Sequence, residues 1–189
     1  MSAVLNLAPK RRALMLGSGS EHGKRVTIPD SPDKNFDDYE LVTVDIDGDL
    51  TPKPSVVWDL DALPYTFGGD SEFDEIHAYE VLEHCGTQGD GKYFFAQFAE
   101  FWRMLKPDGL ICISVPMWDH QVAWGVPDHK RVLPPNIFGF LEPAYYENVG
   151  KPGYADYRKW LGSTNFKIIA MQSTDENFYC VMRAIKPSE

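Results

Sequence analysis

Apolar positions in this chain come in short blocks that end in glycine or an acidic residue. The blocks are LMLGSGS (14–20), VTVDID (42–47), VWDLDALPY (57–65) and FDEIHAYEVLEH (73–84), followed by MLKPDGLICISVP (104–116). Short apolar blocks of this kind mark strands, and the last of them, 110–115, is apolar on both faces, as a buried parallel strand should be. They predict strands at 12–16, 41–46, 56–58, 75–79 and 110–115. Between the last two, Phe94, Phe95, Phe98, Phe101, Trp102 and Leu105 recur at helical spacing, which predicts a helix over 91–105 with one face on the sheet. Pro107 and Gly109 end it. The stretch 26–39 is rich in Pro and Asp and reads as a loop. Residues 154–161 read as a helix, and 166–171 and 178–184 as closing strands around a polar turn at 173–177. The fold class expected is α/β: a Rossmann-like doubly wound sheet of about seven strands with helices on both faces. It is mostly parallel, with an antiparallel closing strand at 178–184. In such sheets a ligand sits along the carboxyl ends of the strands.

The length of 189 residues suits one domain. Within it, 118–153 is long, aromatic and rich in proline, and reads as an inserted lid or acceptor-binding segment. No apolar run approaches the roughly 20 residues of a membrane span, and the start MSAVLNLAPKRR lacks the pattern of a secretory signal. Cys85, Cys112 and Cys180 are scattered and odd in number, which fits reduced thiols in a cytoplasmic protein. The net charge of −10 disfavours a nucleic-acid partner, because a phosphate backbone calls for clustered Lys and Arg.

The candidate chemistry sits at the strand ends. Gly17-Ser18-Gly19 follows the first strand, where glycines let a ligand approach the backbone. The dinucleotide fingerprint would want a third glycine where His22 stands. Asp45 ends the second strand, where a carboxylate can accept both hydroxyls of a ribose, and Asp47 lies close by. Asp59 could accept the exocyclic amine of an adenine, with Leu60 beside the ring. Each has a plainer reading: a tight turn, a solvated strand end, a cap.

These motifs in this order resemble the class I S-adenosylmethionine-dependent methyltransferases. The resemblance is to a compact branch that reads strand-G-x-G, VDI, D-x-x-x-LP, FDEI…VLEH, LKP-G and SVP, and it covers about residues 12–116. It implies S-adenosylmethionine as cofactor. Gly17, Ser18 and Gly19 would then line its methionine part, Asp45 would bind the ribose and Ile46 would lie against the adenine. Asp59 and Leu60 would hold the adenine edge, with Tyr79 and Glu80 near the transferable methyl group. The chain departs from the pattern at Met15 and Glu21 and in lacking a clear helix after the first strand.

On the acceptor side, histidine titrates near neutral pH and suits a general base. His84 closes the VLEH motif and reads as a base or as a packed junction residue, with Glu83 as a structural carboxylate. His120 and His129, each preceded by aspartate, are alternative bases. Without a tighter pattern these Asp-His pairs read as loop hydrogen-bonding residues, so no metal site is expected. The 118–150 segment is expected to wall the acceptor pocket, with His120 or His129 facing the methyl group. The motifs do not name the acceptor, but the acidic charge favours a small or sugar-like molecule. Rival readings are a non-catalytic S-adenosylmethionine-binding module and a nicotinamide-dependent oxidoreductase.

Overall fold

The computed structural model describes residues 10–26, 28 and 34–187. Its strands are β1 (Arg11–Leu16), β2 (Tyr39–Asp45), β3 (Val56–Val57), β4 (Phe73–Tyr79), β5 (Leu105–Pro116), β6 (Phe166–Ser173) and β7 (Asn177–Ala184). They form a seven-stranded sheet in the order β3-β2-β1-β4-β5-β7-β6. The first five pair in parallel, and β7 runs antiparallel to both β5 and β6. The Rossmann-like sheet with its antiparallel closing strand is therefore as the sequence implies. Strand order reverses between β1 and β4, which creates the crevice where such sheets bind ligands.

One long helix, α1 (Gly91–Met104), covers one face. Asp90 caps it by accepting a hydrogen bond from the Tyr93 N–H, satisfying a donor that the first turn leaves free. Phe94, Phe95, Phe98, Phe101 and Met104 from α1 pack on Leu14, Leu16, Ile76, Ile111 and Ile113 of the sheet. Burying each such side chain is worth about 1.5–3 kcal/mol. The 3₁₀ turns Pro135–Leu141 and Pro143–Asn148 and the short α3 (Arg158–Leu161) add Phe138, Leu141, Tyr146 and Leu161 to the same core.

Three expectations change. The helix expected over 154–161 is only α3, which starts at Arg158 after Tyr157 in a non-helical conformation at φ −111° and ψ 12°. β5 begins at Leu105 rather than 110 and bulges opposite Asp74, with Asp108 at φ 61°. Helices do not cover both faces among the described residues. The second face is closed by Val26, Ile28 and Phe36 from the β1–β2 crossover, packed on Met15, Tyr79, Cys112 and Val181. The loop expected at 26–39 forms no regular element where described apart from Tyr39, which opens β2, and residues 27 and 29–33 lie outside the described residues.

The 118–153 segment divides in two. α2 (Gln121–Gly125) and its flanks leave Trp118 and Trp124 exposed. From Val132 onward the chain is core: Val132, Leu133, Phe138, Leu141 and Tyr146 are buried. The later half thus contributes to the core, and Ile137 and Phe140 also line a cavity of about 280 Å³ beside α1. All three cysteines are buried and free. No helix among the described residues is long and apolar enough to cross a membrane.

Candidate active site

A cavity of about 410 Å³ opens at the switch point, within the size range of small-ligand sites. Four strand ends build it: Gly17 and Gly19 after β1, Asp45 and Ile46 at β2, Trp58 to Asp61 after β3, and Glu80, Val81, His84 and Cys85 after β4. Asp128 and Lys130 close one side.

Gly17 and Gly19 both adopt the left-handed region, at φ 57° and 53°. A Cβ on Gly17 would meet Val81 Cγ2 at 2.3 Å, so the turn after β1 packs directly on the turn after β4. A Cβ on Gly19 would meet nothing within 4 Å and would stand in open space. Ser18 lies between them, buried. Its N–H donates to the Val44 carbonyl at 3.1 Å, and its hydroxyl has no partner among the described residues.

The Asp45 carboxylate is fixed by two backbone donors. Oδ2 accepts from Gly19 N at 2.9 Å and Oδ1 from Asp47 N at 3.0 Å. Each oxygen keeps a free lone pair for a ligand hydroxyl. Ile46 is exposed along the cavity rim, and Leu60 is buried beneath it. Asp59 is exposed and turns Oδ1 toward the Asp61 N–H at 2.9 Å.

Sequence reasoning passed over Asp61 and Lys130. Asp61 accepts from Gly86 N at 2.6 Å, Lys130 Nζ at 2.6 Å and Tyr93 OH at 3.2 Å. Partial burial pushes its carboxyl up, but the Lys130 bond and the other donors outweigh it, so the net shift is downward. The same contact raises Lys130. This pair ties the segment after β5 to the turn after β3. Only the D-x-D spacing at Asp59 and Asp61 hinted at it.

Tyr79 and Glu80 part company at the end of β4. The Tyr79 side chain lies on the second face, away from the cavity, and its hydroxyl meets His77 Nδ1 at 2.6 Å. Glu80 turns into the cavity with φ 51°, a conformation rare for a residue with a side chain and common where function holds it. Its Oε1 is buried without a partner among the described residues, and burial raises its carboxyl.

Of the three histidines singled out, two come together. His84 and His129 meet edge to face with ring centroids 4.7 Å apart. His84 Nδ1 lies 3.2 Å from Asp128 Oδ2. Glu83 is buried beside them, and burial, with the Glu80 carboxylate adding to it, pushes its carboxyl up to about 8. His120 stands apart, capping α2 by accepting from Val122 N at 3.4 Å. It does not line the cavity.

No protein-family model matches this chain, and no curated protein matches it in sequence. Its fold is shared with many solved structures. One is a SAM-dependent methyltransferase from Archaeoglobus fulgidus, 15% identical, with 92% of this chain and 86% of that one covered at a TM-score of 0.55. Another is the 1,6-didemethyltoxoflavin-N1-methyltransferase of Burkholderia thailandensis, solved with S-adenosylhomocysteine. It is 14% identical, covering 94% and 72% at a TM-score of 0.53. A third is the [4+2]-cyclase SpnF, 11% identical, covering 95% and 76% at a TM-score of 0.54. The architecture is that of the SAM-dependent methyltransferases, and it also carries an enzyme named for different chemistry.

Proposed function

We propose that this chain is an S-adenosylmethionine-dependent methyltransferase acting on a small-molecule or sugar-like acceptor. The observation that carries the reading is the set of strand ends around one cavity: Gly17 and Gly19, Asp45, Asp59 with Leu60, and Glu80. Three features fit the cofactor. Gly19 leaves open space, the Asp45 carboxylate is held with lone pairs to spare, and Glu80 Oε1 lacks a partner. Asp45 would hold the ribose, Ile46 and Leu60 the adenine faces, Asp59 the adenine edge, and Gly17, Gly19 and Glu80 the methionine end.

When bound, the cofactor supplies a methyl carbon on a sulfonium sulfur, already activated for displacement. The protein's work is to align the acceptor and exclude water. The end of the cavity with Glu80, His84 and Asp128 is where the acceptor would lie. An acceptor that must lose a proton would do so at the adjoining cluster of Glu83, His84 and His129. The net charge of −10 supports a small neutral acceptor over a nucleic acid, and the buried free cysteines suit a cytoplasmic setting.

A nicotinamide-dependent reaction is disfavoured by His22 in place of the third glycine. The [4+2]-cyclase with the same fold makes transfer itself the deciding assay. Thermal shift with S-adenosylmethionine, S-adenosylhomocysteine and NAD(P) tests the cofactor. A ligand at a hundredfold its Kd adds about 2.7 kcal/mol. A tritiated methyl-transfer screen across small acceptors tests the reaction. Stabilisation by NAD(P) but not by S-adenosylhomocysteine would sink the proposal.

A further inference from the structure

We infer that Glu83, His84 and His129 form a site for one divalent transition-metal ion, with zinc the best chemical match. One candidate ligand atom from each residue lies within 4.8 Å of the other two. They come from separate parts of the chain. Glu83 and His84 sit in the 3₁₀ turn Leu82–His84 after β4, and His129 in the loop after α2. Backbone bonds hold the two segments together: the Glu83 carbonyl accepts from Lys130 N at 2.8 Å and from Arg131 N at 3.1 Å. Sequence spacing pairs His129 with Asp128, but the fold pairs it with Glu83 and His84.

The cluster is unsatisfied as it stands. Glu83 Oε2 and His129 Nδ1 are both buried without a hydrogen-bond partner among the described residues. Buried polar atoms are partnered in the great majority of cases, and two orphans in one cluster point to a missing electrophile. His84 has one ring nitrogen engaged, with Nδ1 against Asp128 Oδ2 at 3.2 Å. The other nitrogen is left to coordinate. A carboxylate on the far nitrogen is the outer partner that orients a metal-bound imidazole.

Two imidazole nitrogens and one carboxylate oxygen suit zinc, which holds such atoms at about 2.0–2.2 Å and leaves a fourth position open. Tetrahedral geometry at that length sets the ligand atoms roughly 3.4 Å apart. From separations of up to 4.8 Å the cluster therefore closes by at most about 1.4 Å, which the soft terminal torsions of Glu and His allow. Because His84 lines the cavity, the open position adjoins the acceptor end. There a bound hydroxyl, thiol or amine would give its proton to water and keep the electron pair as the nucleophile. The imidazoles would serve as ligands and not as bases. That role rests on the methyl-transfer reading, but the metal site itself does not.

The test uses the untagged full chain, stripped with a chelator and free of cofactor and acceptor. It is titrated with Co²⁺ and then with Zn²⁺. The expected result is one ion per chain, a visible Co²⁺ ligand-field band, and its loss as Zn²⁺ displaces cobalt. Affinity should fall by roughly tenfold or more in Glu83→Gln and His129→Ala and stay unchanged in His22→Ala. His84→Ala, at a half-exposed position, provides a third variant should the buried Glu83 substitution disturb folding, which near-ultraviolet circular dichroism reports. Absence of binding up to about 1 mM metal, or equal affinity in all three ligand variants and the native chain, would overturn the site. Cofactor binding is measured separately on the metal-free protein. Metal binding without S-adenosylmethionine binding would overturn the transferase reading and leave the metal site standing.

Discussion

Glu75→Gln probes the least ordinary part of the fold, a charged network under β4. Glu75 Oε2 accepts from Lys24 Nζ at 2.6 Å and from His77 Nε2 at 2.9 Å, and Oε1 accepts from the Tyr39 hydroxyl. The Lys24 and Glu75 side chains are 2% and 6% exposed. Burial alone would push the Glu75 carboxyl up, but the hydrogen bonds from His77, Lys24 and Tyr39 hold it down at about 2, against an ordinary 4.5. At about 1.4 kcal/mol per tenfold, that difference is worth about 3 kcal/mol at neutral pH. Losing one partner of a buried ion pair costs about the same, 3–5 kcal/mol. Because the folded value lies below the unfolded one, the contribution is complete above about pH 4.5 and fades as pH falls toward 2. Urea unfolding of the native and Gln forms across that range should show a gap of about 3 kcal/mol at neutral pH that narrows on acidification. A gap under about 1 kcal/mol at neutral pH, or one that stays constant on acidification, would refute the reasoning.

Asp45→Ala should weaken S-adenosylmethionine binding by about 1.5–3 kcal/mol, the loss of charge-assisted hydrogen bonds, and unchanged calorimetric affinity would remove the ribose assignment. Gly17→Ala forces a Cβ to 2.3 Å from Val81 at φ 57°. It should cost about 1–3 kcal/mol in thermal unfolding, with part of the loss restored by adding Val81→Ala. Replacing 118–126 with a flexible linker should keep the fold and cofactor binding, while Phe138→Ala, fully buried, should cost about 3–5 kcal/mol. Equal stability of Phe138→Ala and the native chain would mean that the later half does not belong to the core.

The strands were legible because β1 and β5 are apolar enough to need no tertiary knowledge, β4 because its apolar positions end in the Glu-Val-Leu-Glu-His run, and α1 because its aromatics keep helical spacing. The cofactor-side residues were legible for a related reason: glycine and aspartate at strand ends stand out against apolar runs. The role of the 118–153 segment was not legible. Its prolines and aromatics read the same whether they face a pocket or a core, and only the packing of Phe138 and Tyr146 into the α1 face decides. Tyr79 and Glu80 show the limit at one residue's resolution. They are adjacent in sequence, yet the strand ends between them, and the positive φ of Glu80 turns one side chain to each side of the sheet. The meeting of Glu83 and His84 with His129 depends on backbone bonds across some 45 residues of chain, which no local spacing encodes.

The lack of a helix on the second face among the described residues explains why charge is buried there at all. A parallel strand between two helical layers is apolar on both sides, but β4 alternates: Ile76 and Ala78 face α1, while Glu75, His77 and Tyr79 face away. With no helix on that side among the described residues, the crossover after β1 has to close it with few apolar groups. A fully partnered ionic chain supplies the closure. A carboxylate only accepts, so His77 Nε2 carries the proton toward Glu75, and Nδ1 is left to accept from the Tyr79 hydroxyl. Burial lowers His77, in keeping with that neutral ring. Lys24, which anchors the chain at one end, lies over the Tyr39 ring at 4.3 Å and belongs to the same crossover as Gly17 and Gly19. The stretch from Gly17 to Lys24 is therefore held at both ends, by the Val81 contact at the glycine turn and by the ion pair at Lys24. A helix would have given the glycine turn a rigid support, and here the buried charges do that work.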